Sequence, residues 1–124
     1  IKKIYSKIHN SMSENCIFCK IVSGQVKSQN VHEDDDCVAF KDLNPQAPTH
    51  LLVVPKKHIP SLAAAVSGDE ALLGRLQGAI RAIAKSQKLD SYRVVTNIGR
   101  MAGQSVDHLH YHVLGGRRLG WPPG

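Results

Sequence analysis

Residues 49–55, THLLVVP, form a run of apolar and β-branched positions that stops at a proline, which predicts a strand buried on both faces. Upstream, NVHEDDDCVAFKD (30–42) reads as two short strands about a DDD turn, and NPQAP (44–48) breaks the chain. Downstream, a short helix is expected over 59–66. Ser67 and Glu70 then stand at capping-box spacing before a longer helix. In that helix Leu72, Leu76, Ile80 and Ile83 recur at helical spacing and give it one apolar face. SYRVVTNI (91–98) and DHLHYHVL (107–114) read as two more strands, separated by the loop GRMAGQS, and GGRRLGWPPG closes the chain irregularly. Near the start, Ser13 is placed to cap a short helical turn carrying Cys16 and Cys19. The order β-β-β-α-β-β after a small helical start predicts an α+β domain with a largely antiparallel sheet.

Length and composition narrow this picture. At 124 residues and 42% hydrophobic content the chain suits one packed domain, taken here as residues 13–124. Residues 1–12, IKKIYSKIHNSM, are basic and lack an acid, and read as a disordered or loosely attached tail or extension. No apolar run is long enough to span a bilayer, so no membrane association is expected. The net charge of +6 would suit an anionic partner. The basic residues are scattered, however, and aromatics make up only 5%, which argues against nucleic acid. Three cysteines, Cys16, Cys19 and Cys37, do not make a disulfide framework and suggest a reducing compartment, and a cytoplasmic location, extending to the nucleus, is expected.

The distinctive chemistry lies in SVDHLHYHVLGG (105–116). On a strand, His108, His110 and His112 share one face, while Leu109, Tyr111 and Val113 point into the core. A metal held by alternate histidines is one use of such a row. A hydrolytic metal site needs further ligands and an acid or base, and no Asp or Glu follows His112. The other use is nucleophilic attack on phosphorus by a neutral imidazole, with its neighbours donating to the phosphate oxygens. In the preceding loop, Gly99 and Gly103 would free backbone N–H groups for an anion, and Gln104 and Ser105 would add side-chain donors. The Cys16–Cys19 pair admits three readings: a redox motif, two small buried cysteines, or half a zinc site. His58 and His108 are candidates for the other half.

HLHYHVL resembles the alternating signature of the histidine triad (HIT) superfamily. IFCKI, AFKDLNPQAPTH, PKKHI, GQSVDHLHYHVLGGR and the terminal WPPG are similar to its Hint branch, the histidine triad nucleotide-binding proteins. The resemblance covers residues 14–124. It implies an α+β HIT-like fold: a five-stranded antiparallel sheet with one main helix and a short second one, continued across a homodimer. It implies a purine nucleoside phosphoramidase that cleaves the P–N bond of adenosine 5′-phosphoramidates and aminoacyl- or lysyl-adenylate adducts through a nucleotidyl-histidine. A nucleotide-binding scaffold, or a dinucleoside polyphosphate hydrolase or nucleotidylyl transferase, are the alternatives on the same fold.

By the same resemblance His110 would be the nucleophile. His112 would hold the phosphate, with its backbone carbonyl orienting the His110 ring. His50 would lie beside them, and Ser105 would contact the leaving group. Asp42 would accept from the ribose, with Leu43 alongside. Asn97, Gly103 and Gln104 would line the phosphate site, and Ile17, Phe18, Ile21 and Phe40 would enclose the base. The substrate would be a purine nucleotide of AMP or GMP type, with no catalytic metal required. Cys16, Cys19, His58 and His108 would hold a structural zinc. Leu43, Arg100 and Met101 depart from the commoner choices at their positions and could alter substrate preference.

Overall fold

The computed structural model describes residues 15–124, so the expected tail (1–12) and Ser13 lie outside the described residues. Five antiparallel strands form one sheet: β1 (Asn30–Glu33), β2 (Cys37–Lys41), β3 (Thr49–Pro55), β4 (Tyr92–Val95) and β5 (Tyr111–Gly115), in the order β1-β2-β3-β5-β4. β3 is central, which explains its unbroken apolar run: both of its faces are covered.

The face behind the site carries Cys37, Ala39, Leu51, Val53, Leu109, Tyr111 and Val113. They pack on Leu76, Ile80 and Ile83 of the long helix α2 (Glu70–Ser86). Leu72 is partly buried on the same stripe, so the helical spacing marked the correct face. The opposite face carries Val38, Phe40, Leu52 and Val54 under the short helix α1 (Ile17–Ser23). α1 ends at Gly24, whose φ of 84° is the left-handed conformation that favours glycine at a helix C-terminus.

Several sequence expectations shift. Cys16 is the N-cap of α1, its thiolate or thiol sulfur accepting the Cys19 N–H at 3.4 Å. The capping box from Ser67 does not form, because residues 67–69 make a 3-10 turn ahead of α2. Asp69 takes over, accepting the Val66 N–H at 3.0 Å and Lys57 Nζ at 2.6 Å. The helix expected over 59–66 shrinks to a 3-10 turn at Leu62–Ala64. β4 ends at Val95 and β5 begins only at Tyr111. Residues 96–98 and 107–110 were expected in strands but lie outside the β4–β5 ladder, which runs from Tyr92–Gly115 to Val95–His112. No helix among the described residues is long and apolar enough to cross a membrane.

Candidate active site

The β3–β5 ladder pairs Leu52 with His112 and His50 with Leu114. His50 and His112 are therefore diagonal neighbours on one face, within reach of each other. Just before β5, the segment 108–110 is tied down from three sides. The Leu109 N–H donates to the Ile59 carbonyl at 2.6 Å. His108 Nε2 donates to the Pro55 carbonyl at 2.9 Å, and the Thr96 hydroxyl donates to the His110 carbonyl at 2.8 Å. His110 is thus held against α1, its ring 5.1 Å from that of Phe18 and 5.1 Å from that of His112.

Hydrogen bonds fix which nitrogens carry protons. His110 Nδ1 lies 2.7 Å from the His108 carbonyl, which can only accept, so Nδ1 is protonated and Nε2 keeps its lone pair. The orienting carbonyl is therefore that of His108. The resemblance led to the His112 carbonyl in this role; that carbonyl belongs to β5, and the His110 ring is held instead by the carbonyl two residues before it. A second chain sets His112. The Gln46 N–H donates to His50 Nδ1 at 3.0 Å, so the proton of neutral His50 is on Nε2. That nitrogen lies 2.9 Å from His112 Nδ1 and 3.3 Å from Asp42 Oδ2. His112 Nδ1 accepts, and His112 presents Nε2–H as a donor. Burial keeps this pair neutral. It lowers His50 from the ordinary imidazole range, with Asp42 opposing, and lowers His112 to about 4, assisted by His110 and His50.

These groups open onto a cleft of about 300 Å³. Ile17, Phe18, Ile21 and Phe40 give it apolar lining, Asp42, Ser105, His110 and His112 give it polar lining, and Leu43, 95% exposed, also borders it. The residues expected to enclose a base and those expected at a ribose and phosphate thus line one cavity. His50 sits behind His112 as a positioning residue.

Asn97, Gly103 and Gln104 do not line this cleft. The Gln104 amide turns inward, donating to the Pro60 and Val106 carbonyls at 2.7 and 3.0 Å and accepting the Gly99 N–H at 2.9 Å. The Ala102, Gly103 and Gln104 N–H groups also bond within the loop. Gly99, Gly103 and Gln104 therefore stabilise a closed loop and do not offer those groups to an anion. The Asn97 amide lies beside Gly103, 3.6 Å from where a Cβ would stand there. The sequence reading missed Val26, Lys27, Ser28 and Gln29 of the α1–β1 loop, and Lys41 and Val106, which also line the cleft. The Lys41 N–H donates to the Gln29 carbonyl and draws that loop in. No spacing in the sequence signals that contact.

A second constellation lies beside the first. One ligand atom from each of Cys16, Cys19, His58 and His108 falls within 4.8 Å of all the others. His108 Nδ1 is 3.4 Å from Cys16 Sγ, 3.5 Å from Cys19 Sγ and 3.1 Å from His58 Nδ1, and Cys19 Sγ is 3.2 Å from His58 Nδ1. Ligands at zinc distances of about 2.0–2.3 Å in a tetrahedron are separated by about 3.3–3.8 Å, so the donor set fits such an ion closely. The bond from His108 Nε2–H to the Pro55 carbonyl leaves Nδ1 free to ligate, the usual outer support of a metal-binding histidine.

Residues 15–119 match the protein family described as "Scavenger mRNA decapping enzyme C-term binding". The chain is 49% identical over 114 residues to an uncharacterized HIT-like protein of Synechocystis, spanning 91% of this chain and all of that one. Its structure is similar to a HIT family hydrolase from Legionella pneumophila, with a TM-score of 0.87 and 44% identity over 89% of this chain and 100% of that one. A histidine triad protein from Clostridium difficile gives 0.84 and 45%, over 87% and 96%.

Proposed function

The chain belongs to the histidine triad family of HIT-like proteins, and on that premise we propose that it is a Hint-type purine nucleoside phosphoramidase, cleaving P–N bonds of adenosine 5′-phosphoramidates. The observation that carries this reading is the proton arrangement at the cleft. His110 offers a bare Nε2 because its Nδ1–H is held by the His108 carbonyl, and His112 stands next to it as a donor. The apolar lining of the cleft would take the base, and Asp42 would accept from the ribose.

In the first displacement the His110 Nε2 lone pair forms a bond to phosphorus. The P–N bond breaks, and its electron pair leaves with the amine, which takes a proton from water relayed by the Ser105 hydroxyl. The imidazole becomes cationic, and the His108 carbonyl at Nδ1–H stabilises that charge. His112 Nε2–H donates to the phosphoryl oxygens as charge builds on them. Water then attacks phosphorus, the His110–phosphorus bond breaks, the nucleoside monophosphate leaves, and the proton consumed in the first step is returned to solvent.

Cys16, Cys19, His58 and His108 would hold a structural zinc. It would fix α1, with Phe18, against the segment that carries His110. A homodimer with a continued sheet is supported by the β4 edge, where Tyr92 and Val94 are exposed. The test is turnover of adenosine 5′-phosphoramidate: His110→Ala abolishes amine release while nucleotide binding survives. Full activity in that variant overturns the reading.

A further inference from the structure

Away from the cleft and from the four-residue cysteine–histidine set, the tip of the β1–β2 hairpin carries its own group of metal-type donors. His32, Asp34 and Cys37 each place one ligand atom within 4.8 Å of the other two. The Asp34 carboxylate has two separate jobs. Its Oδ1 accepts the Asp36 and Cys37 N–H groups at 2.7 and 2.9 Å and so closes the turn. Its Oδ2 turns to His32 Nε2 at 2.7 Å and to the Cys37 thiol at 3.5 Å. Cys37 is fully buried on the α2 side of the sheet, whereas Cys16 and Cys19 pack on the α1 side, so the two donor sets share no ligand. The His32 and Asp34 side chains are 29% and 40% exposed, which leaves the group open to solvent. The neighbouring charges are paired among themselves: Lys56 Nζ lies 3.0 Å from Glu33 Oε2, and Arg75 Nε lies 2.8 Å from Asp36 Oδ2.

We propose that His32, Asp34 and Cys37 form a second metal site, for a thiophilic divalent cation of the zinc class. A thiolate with an imidazole selects zinc or cobalt over magnesium or calcium. The sulfur–oxygen separation of 3.5 Å is about that of two ligands on a zinc tetrahedron. The nitrogen–oxygen separation of 2.7 Å is that of a hydrogen bond, and it opens by about half an ångström when the ion takes the proton's place. On binding, the Cys37 S–H proton leaves to solvent and His32 adopts the Nδ1–H form. Sγ, Oδ2 and Nε2 then each donate an electron pair to the cation. Thiolate and carboxylate together balance its double charge, and water completes the coordination from the open side. With three protein ligands, this site fills when metal is added, whereas four ligands hold an ion more tightly. The ion would clamp the edge strand β1 to β2, and residues 26–29, which lead into β1, line the substrate cleft.

The test uses the full-length protein preloaded with one equivalent of zinc per chain, which cobalt does not displace because zinc binds such ligands more tightly. Co²⁺ is then titrated into the wild type, His32→Asn and Cys37→Ala. The wild type takes up one cobalt per chain with a thiolate-to-cobalt charge-transfer band, and its Tm rises with cobalt concentration. His32→Asn weakens cobalt binding by at least about tenfold, and Cys37→Ala loses the charge-transfer band. Should Cys37→Ala fail to fold, the affinity of His32→Asn decides. A zinc-loaded wild type that develops no band overturns the site, and so does a band of unchanged affinity in His32→Asn.

Discussion

Two groups of imidazoles meet at the N-terminal end of β5, and one five-residue stretch supplies both. His108 is fully buried, ties its Nε2–H to Pro55 and turns Nδ1 to Cys16, Cys19 and His58. His110 and His112, two and four residues on, reverse this arrangement. Their outward nitrogens reach the cleft, and their inner nitrogens are held by the His108 carbonyl and by His50. On the proposed reading the same side chain would be a ligand in one place and a nucleophile or donor in the other. What differs is which ring nitrogen the backbone or a neighbouring side chain claims. The His108 carbonyl links the two groups, so ordering the first also aims the second.

The largest effect separates the nucleophile from everything else. His110→Ala should lower turnover by about 10⁴-fold or more, with nucleotide affinity by calorimetry nearly unchanged. His112→Ala removes one donor to the developing phosphoryl charge and should lower kcat by about 10²–10³-fold, read in the same assay. On the structural side, Cys16→Ser should reduce bound zinc from one per chain to none by elemental analysis. The lost site should lower stability by about 3 kcal/mol, a fall in Tm of roughly 10 °C for a chain of this size. Retained zinc in that variant would break the division of labour between the two groups.

His50→Ala should cost only about tenfold in kcat. It should also change the ¹⁵N shifts of His112, because Nδ1 loses the donor that keeps it unprotonated. Unchanged His112 shifts would show that His50 does not set its tautomer. The smallest effect is with pH. The folded protein keeps His50 and His112 below the unfolded imidazole value of 6.5, His112 near 4, chiefly by burial. Their contribution is complete above about pH 6.5, and it is lost as pH falls toward 4, where the unfolded chain binds protons that the folded chain refuses. Tm should decline across that window, and less steeply in His112→Ala.

Much of this was legible in the chain. β3 and α2 announced themselves because burial on two faces, or on one helical stripe, writes directly into the order of apolar residues. Alternation put the three histidines on one face, even though the β4–β5 ladder reaches only His112 and the segment carrying the other two is held by bonds to Ile59, Pro55 and Thr96. Gln104 was misread because its partners include Pro60, 44 positions away, and a buried amide looks the same in sequence as an exposed one. The orienting carbonyl was misassigned because alternation tells which face a side chain takes, not which carbonyl accepts its ring N–H. Ser28, Gln29 and Lys41 reached the cleft through a loop contact that no periodicity encodes.

The most direct test is to trap the covalent intermediate. The protein is mixed with adenosine 5′-phosphoramidate, quenched in base within its first turnover and digested for mass spectrometry. A nucleotidyl group on His110, absent from His110→Asn, is the predicted result. Amine release with no adduct, or an adduct on His112, would contradict the assignment of His110 as the nucleophile.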